Sequence, residues 1–203
     1  MLKVGLTGGL ASGKTFVSAC FESLGAHVIH ADKLGHEVLD RDGEAFDEVV
    51  EEFGDGILAD DGSIDRKKLA GVVFPAPEKL ERLNALVHPH VWRRQQEFFE
   101  QVRAENPEAV AVVEAAILIE TGSYKRYDRL VVAACPEDEQ IRRFIKREGG
   151  TEEQARARMA RQMPLAEKLP LADYVVDTSG AKEETKERAA HVYAKLEEEA
   201  RNR

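Results

Sequence analysis

Gly8-Gly9-Leu10-Ala11-Ser12-Gly13-Lys14-Thr15 is a complete G-x-x-x-x-G-K-[ST] loop, and nothing else in the chain restricts its fold as tightly. The stretch before it, Leu2-Lys3-Val4-Gly5-Leu6-Thr7, is short and largely apolar, as a buried strand of a parallel sheet should be. After it, from Lys14 to Leu24, apolar residues recur at Phe16, Val17, Cys20 and Leu24, the spacing of a helix face, with Gly25 as the expected C-cap. Strand, loop and helix in that order are the context in which this pattern cradles phosphates. The glycines let successive N–H groups turn toward phosphate oxygens, and the helix N-terminus adds roughly half a positive charge behind them. Gly9, Leu10, Ala11, Ser12, Gly13, Lys14, Thr15 and Phe16 are therefore the expected nucleotide contacts. Lys14 would reach the β- and γ-phosphates and the Thr15 hydroxyl would ligate Mg²⁺. The competing reading is a Gly-rich turn that matches by accident, and the flanking elements weigh against it.

Composition narrows the class. At 203 residues the chain suits one core domain carrying insertions, and 43% hydrophobic with 33% charged residues is ordinary for a globular protein. Cys20 and Cys135 lie far apart in apolar runs, which suggests neither a disulfide framework nor a metal site and points to a reducing cytoplasm. No signal peptide and no membrane-crossing run is expected. A net charge of −9 argues against general nucleic-acid or anionic-membrane binding, so the cations that hold a polyanion must be concentrated locally.

Further along, Ala26-His27-Val28-Ile29-His30-Ala31-Asp32 reads as a second strand ending at an acid. From Lys33 to about Glu108 the sequence turns helical and polar. It is punctuated at Asp40-Arg41-Asp42-Gly43, Gly54-Asp55-Gly56, Asp61-Gly62-Ser63, Pro75-Ala76-Pro77 and His88-Pro89. A helical insertion of that size is expected to serve the substrate side. Ala109 to Val113, Arg129 to Cys135 and Tyr174 to Asp177 read as three further strands, and Pro136 to Leu169 as a charged helical region. Lys182 to Arg203 reads as an amphipathic helix with Ala190, Val192, Tyr193 and Leu196 toward the sheet. The pattern predicts a doubly covered, five-stranded parallel sheet with ligands at the carboxyl ends of its strands. The nucleotide-binding core would be 1–32, 109–135 and 170–203, with an insertion at 33–108 and a helical lid at 136–169.

Asp32, ending strand two, can accept a proton from a substrate hydroxyl, or it is a loop-start or N-cap residue. His30 shares its face by alternation and reads more simply as a strand-end histidine. Glu114 closes the third strand, where such proteins place the acid that holds Mg²⁺, usually through water; structural pairing is the alternative. Glu120 either faces the substrate cleft or starts a loop. After strand four come Arg142, Arg143, Arg147, Arg156, Arg158 and Arg161, with acids nearby to pair them on the surface. A closing lid would instead bring arginines onto the transferring group, and Arg143 and Arg147, four apart on one helix face, are the best pair. His88-Pro89-His90 lacks a third ligand for zinc and reads as a turn or a polar contact to substrate.

With these residues in place the chain resembles the dephospho-coenzyme A kinase family from Lys3 to about Gly180. The likeness rests on Val4-Gly5-Leu6-Thr7-Gly8-Gly9 leading into Ser12-Gly13-Lys14-Thr15, and on Leu24-Gly25-Ala26-His27-Val28-Ile29-His30-Ala31-Asp32. It continues through Asp61-Gly62-Ser63-Ile64-Asp65-Arg66, Val73-Phe74, Leu86-Val87-His88-Pro89, Gln140 to Glu148, and Ala172-Asp173-Tyr174-Val175-Val176-Asp177. The resemblance implies a P-loop three-layer fold with ATP on Ala11 to Phe16 and Mg²⁺ on Thr15. It makes Asp32 the acceptor of the ribose 3′-hydroxyl proton and Arg143 a lid contact to the phosphates. His88 falls in a helical domain that receives the coenzyme A moiety. The chain departs from the family pattern at His30, where a second acid is usual, at Ala116, where a proline is usual, and at Thr178, where Asn is frequent.

The expected activity is ATP-dependent phosphorylation of the 3′-hydroxyl of dephospho-coenzyme A by a cytoplasmic monomer or small homo-oligomer with no nucleic-acid or membrane partner. Another nucleoside or nucleotide kinase of similar layout is the nearest rival. A switch GTPase is weakened by the missing N-K-x-D, and a DNA-tracking ATPase by charge and size.

Overall fold

A computed structural model describes residues 1–203. Five strands form one sheet, β1 (Leu2–Gly8), β2 (His27–His30), β3 (Val110–Glu114), β4 (Arg129–Ala134) and β5 (Tyr174–Asp177). All pairs are parallel, in the order β2-β3-β1-β4-β5. The central strands β3, β1 and β4 are the apolar ones, as a sheet covered on both faces requires. Helices α1 (Lys14–Ser23) and α9 (Lys182–Arg201) cover one face. Val17, Cys20 and Phe21 of α1 and Ala189, Val192, Tyr193 and Leu196 of α9 pack there on Leu2, Val4, Leu6, Val112 and Val131. The buried alanine is Ala189 rather than the expected Ala190, a one-residue turn of the helix face. On the other face Gly5 lets the backbone approach Tyr127 and Leu118: a Cβ there would lie 2.9 Å from the Tyr127 ring and 3.0 Å from Leu118.

The chain divides into two compact units, residues 1–30 with 99–203, and residues 31–98. The second unit contains α2 (Ala31–Glu37), α3 (Phe46–Phe53), α4 (Arg66–Val73) and the greater part of α5 (Pro77–Glu105). Its Asp61-Gly62-Ser63 element is a tight turn: Gly62 has φ +80°, and the Asp61 carboxylate accepts from Ser63 N at 3.0 Å. Asp65 caps α4 by accepting from the N–H groups of Lys67 and Lys68. Asp61, Gly62, Ser63 and Asp65 thus have local structural work.

The end of β2 and the His88-Pro89 segment also depart from the sequence expectation. Strand β2 stops at His30, and Asp32 lies in the first turn of α2 instead of ending the strand. An acid in a first helical turn complements the dipole, which is why Ala31-Asp32 goes helical. His88-Pro89 is no turn either, because α5 runs straight through Pro89. A helix-interior proline costs about 3 kcal/mol. The stripe of Val87, Val91, Phe99 and Val102, all buried, offsets this at about 1.5–3 kcal/mol per fully buried apolar side chain.

The last third of the first unit holds α6 (Glu137–Glu148), α7 (Glu152–Met159) and the short α8 (Leu165–Lys168). Ile141, Phe144 and Ala155 bury one another with Leu10, Ala11 and Met159 packed against them, so α6 and α7 sit directly on the glycine-rich loop.

Candidate active site

The loop leaves the carboxyl end of β1, at the point where strand order reverses between β3 and β4, the usual ligand crevice of such a sheet. Its backbone is set for ligand rather than for packing. Gly13 has φ +88°, and Ala11, although it carries a Cβ, has φ +50°. Non-glycine residues in that region carry strain of order 1–3 kcal/mol and persist where a site demands it. A Cβ at Gly8 would lie 2.6 Å from the Ala133 carbonyl oxygen, so only glycine fits. The Ser12 hydroxyl is buried with no hydrogen-bond partner in the protein, and a phosphate oxygen is a suitable one. The Lys14 ammonium rests on the carbonyls of Gly8 and Gly9 at 3.3 and 3.1 Å.

Behind the loop, three side chains converge on one carboxylate. Glu114 Oε1 accepts from the Thr15 hydroxyl at 2.8 Å, and Oε2 accepts from Ser18 Oγ at 2.6 Å. His30 Nδ1 lies 2.8 Å from the same Oε2. The register explains this: His30 on β2 and Leu6 on β1 both pair with Glu114 on β3. Glu114 is 7% exposed and fully engaged. Thr15 Oγ1 and Glu114 Oε1 are separated by about the distance of adjacent oxygens around Mg²⁺, so the donor set fits that ion with water and phosphate oxygens completing it. Sequence reasoning placed Thr15 and Glu114 together but missed Ser18, which the helical spacing of three from Thr15 would have found.

The two arginines of α6 part company. Arg143, 30% exposed, donates from Nη2 to the Thr178 carbonyl at 2.6 Å and from Nε to Glu139 at 2.9 Å. Arg147, four residues on, is 63% exposed and pairs with its neighbour Glu148 at 2.7 Å. The structure therefore ties Arg143 to Thr178 and leaves Arg147 on the surface, so the two expected phosphate contacts sit in different surroundings.

Glu120 does not stand open toward a ligand. Its Oε1 accepts from Met163 N at 2.9 Å and from Lys168 Nζ at 2.8 Å. Burial pushes the Glu120 carboxyl up, but the Lys168 ammonium and the two backbone bonds together outweigh it and leave it below the usual range. Lys168 is completely buried, and no periodicity in the sequence marks it as a core residue. A cleft of about 420 Å³ opens beside Gly9, lined among others by Gln140, Met159, Gln162 and Lys168. The amide oxygens of Gln140 and Gln162 are buried there without protein partners.

In the helical unit His88 stacks on Trp92, ring centroids 6.1 Å apart, one turn along α5. Asp32 follows the last residue of β2 by two positions.

Sheet order, phosphate loop and the acid closing β3 define a P-loop phosphotransferase of the small-molecule kinase class. A family model described as dephospho-CoA kinase matches residues 2–184, and the chain belongs to that family, which catalyses the final ATP-dependent step of coenzyme A synthesis. A dephospho-CoA kinase from Aquifex aeolicus is 40% identical over 196 residues, covering 97% of this chain and 98% of that one. The crystal structure of TT1252 from Thermus thermophilus superposes with a TM-score of 0.82 at 34% identity, covering 96% and 97%. A dephospho-CoA kinase from Campylobacter jejuni shares the fold, with a TM-score of 0.64 at 24% identity over 96% of each chain. No helix is long and apolar enough to cross a membrane.

Proposed function

We propose that this chain transfers the γ-phosphoryl group of ATP to the ribose 3′-hydroxyl of dephospho-coenzyme A. The observation that carries the reading is the strained glycine-rich loop backed by the Thr15–Glu114 contact in a chain of this family. Backbone N–H groups of Gly9 to Phe16 hold the donor phosphates, and the Lys14 ammonium leaves the Gly8 and Gly9 carbonyls for the phosphoryl oxygens. Thr15 Oγ1 and, through water, Glu114 would hold Mg²⁺, which when bound draws charge from the phosphate oxygens. His30 and Ser18 fix the Glu114 carboxylate so that Oε1 keeps facing Thr15. Asp32 accepts the 3′-hydroxyl proton as the oxygen attacks. Arg143 exchanges the Thr178 carbonyl for the transferring group when 136–169 closes as a lid.

The helical unit around His88 recognises the acceptor. Glu120 serves the site by anchoring Lys168 and Met163 rather than by touching substrate, and Arg147 lies outside the working set. We assign the protein to the cytoplasm as a monomer or small homo-oligomer without nucleic-acid or membrane partners, in keeping with its net charge of −9. Release of ADP from ATP, followed with and without dephospho-coenzyme A, tests the reading. Acceptor-dependent release that is far weaker with adenosine or AMP is expected, because the pantetheine arm supplies remote binding energy. Equal kcat/KM for adenosine and dephospho-coenzyme A would overturn the proposed acceptor.

A further inference from the structure

Thr178, just past the end of β5, is 3% exposed, and its hydroxyl lies 2.6 Å from the Ser12 carbonyl oxygen inside the glycine-rich loop. The same hydroxyl is 3.1 Å from the Ala134 carbonyl, but that oxygen already accepts the Thr178 backbone N–H at 2.8 Å. A hydroxyl has one proton, so the shorter contact, to the oxygen it alone serves, is where it goes. Thr178 also packs on the loop sterically. A Cβ at Gly13 would lie 3.4 Å from both Cβ and Oγ1 of Thr178. One residue thus grips the Ser12–Gly13 peptide by a buried hydrogen bond and by contact.

The peptide is trans, like every other in the chain. In a planar trans peptide the C=O and N–H vectors point in opposite directions. Drawing the Ser12 carbonyl toward Thr178 therefore turns the Gly13 N–H away from it, toward the concave side of the loop. Gly13, at φ +88°, has no Cβ to resist either orientation, so an external contact must choose between them.

We propose that Thr178 is a positioning residue of the donor site: its hydroxyl locks the Ser12–Gly13 peptide so that the Gly13 N–H is already aimed at donor phosphate. The inference rests on the reading of Gly8 to Thr15 as the donor-phosphate loop. Thr178 touches the loop's outer surface and acts through it, so its effect belongs to the polyphosphate and not to the base.

Inorganic triphosphate, which has no base, is the deciding probe, with ATP and the acceptor measured alongside. Replacing Thr178 by Val removes the hydroxyl at constant shape, and Thr178→Ser restores it. A net hydrogen bond corresponds to about three- to tenfold in affinity. Thr178→Val is expected to weaken ATP and inorganic triphosphate by the same factor in that range, with the acceptor KM within twofold of the parent. Thr178→Ser should restore triphosphate affinity to within twofold. If Val proves unstable, Thr178→Ala against Thr178→Ser makes the same comparison in binding. Loss of ATP affinity with triphosphate unchanged would make Thr178 a base contact and overturn the proposal, as would wild-type affinity for both in Val or Ala. Lys14→Ala separates the two readings: if it too binds triphosphate normally, the loop assignment fails. If it loses triphosphate while Thr178→Val keeps it, only the role of Thr178 fails.

Discussion

The sheet unit and the helical unit hold their polar side chains by different means. In the sheet unit Thr15, Ser18 and His30 converge on the buried Glu114, and Lys168 is fully buried on Glu120. The sheet unit carries exposed Arg–carboxylate pairs as well, such as Arg147 with Glu148, but the helical unit's pairs are all of the more exposed kind: Arg94 with Glu37 and Glu44, Arg93 with Glu44, Arg82 with Glu52. Breaking a buried ion pair by removing one partner costs about 3–5 kcal/mol, whereas an exposed pair is worth about 0–1 kcal/mol. The buried polar groups of the sheet unit are thus held in place by the protein itself. The helical unit keeps contacts that rearrange at small cost, in line with the acceptor-recognition role proposed for it.

The comparison is tested hardest at Lys14. Lys14→Ala should bring phosphoryl transfer to background with a melting temperature close to the parent's, since the ammonium rests on the loop carbonyls of Gly8 and Gly9 at 3.3 and 3.1 Å and not in the apolar core. Steady-state ADP release and a thermal melt read the two halves. Near-parental turnover would sink the donor assignment.

Asp32→Asn should lower kcat by about 10²- to 10⁴-fold, the usual cost of losing a general base, with ATP affinity little changed. A variant that loses only ATP affinity would move Asp32 to the donor side.

Glu120→Gln and Glu44→Gln set the two units against each other in stability. The first strips a buried ammonium of its counter-charge and should cost about 3 kcal/mol in denaturant unfolding. On α6, Arg143→Ala should lower kcat by about 10²-fold, as loss of a preset donor to developing charge does, while Arg147→Ala stays within twofold. Equal effects would erase the distinction the structure draws between them.

The smallest effect is expected at Glu44. Hydrogen bonding from Arg94, with a lesser bond from Arg93 and against the opposing push of burial, brings its pKa from 4.5 down to about 2. A depressed carboxylate stabilises the fold above its unfolded pKa and loses that contribution as pH falls through the folded one. Glu44→Gln should therefore be less stable than the parent by under about 1 kcal/mol at pH 7. The gap should narrow below pH 4.5 and close near pH 2. A gap that widened with acid would reverse the sign and the argument.

Much of this molecule is legible in one dimension because its determinants are local. The loop pattern between an apolar run and a helical stripe fixes strand, turn and helix together, and the apolar runs at 110–114 and 129–134 read as buried parallel strands. The acid closing β3 is visible too, so Thr15 and Glu114 could be matched without coordinates, whereas Asp32, read the same way, falls in α2. Other features depend on neighbours far along the chain. Lys168 is buried because Glu120, 48 residues earlier, meets its charge, and no periodicity announces that. Pro89 sits inside α5 because the buried stripe outweighs the lost backbone bond, a balance invisible to a turn rule. Arg143 and Arg147 are equivalent in spacing, and only the position of Thr178 separates them.

Sequence alone thus determined the phosphate loop, the parallel sheet and the family, because each rests on backbone chemistry and burial patterns that a short stretch carries by itself. Tertiary structure decided which side of α6 meets the loop, which carboxylate is bound up and which side chain aims the Gly13 N–H. Those choices are made by contacts across 166 residues, as between Thr178 and Ser12, where geometry and not spacing sets who touches whom.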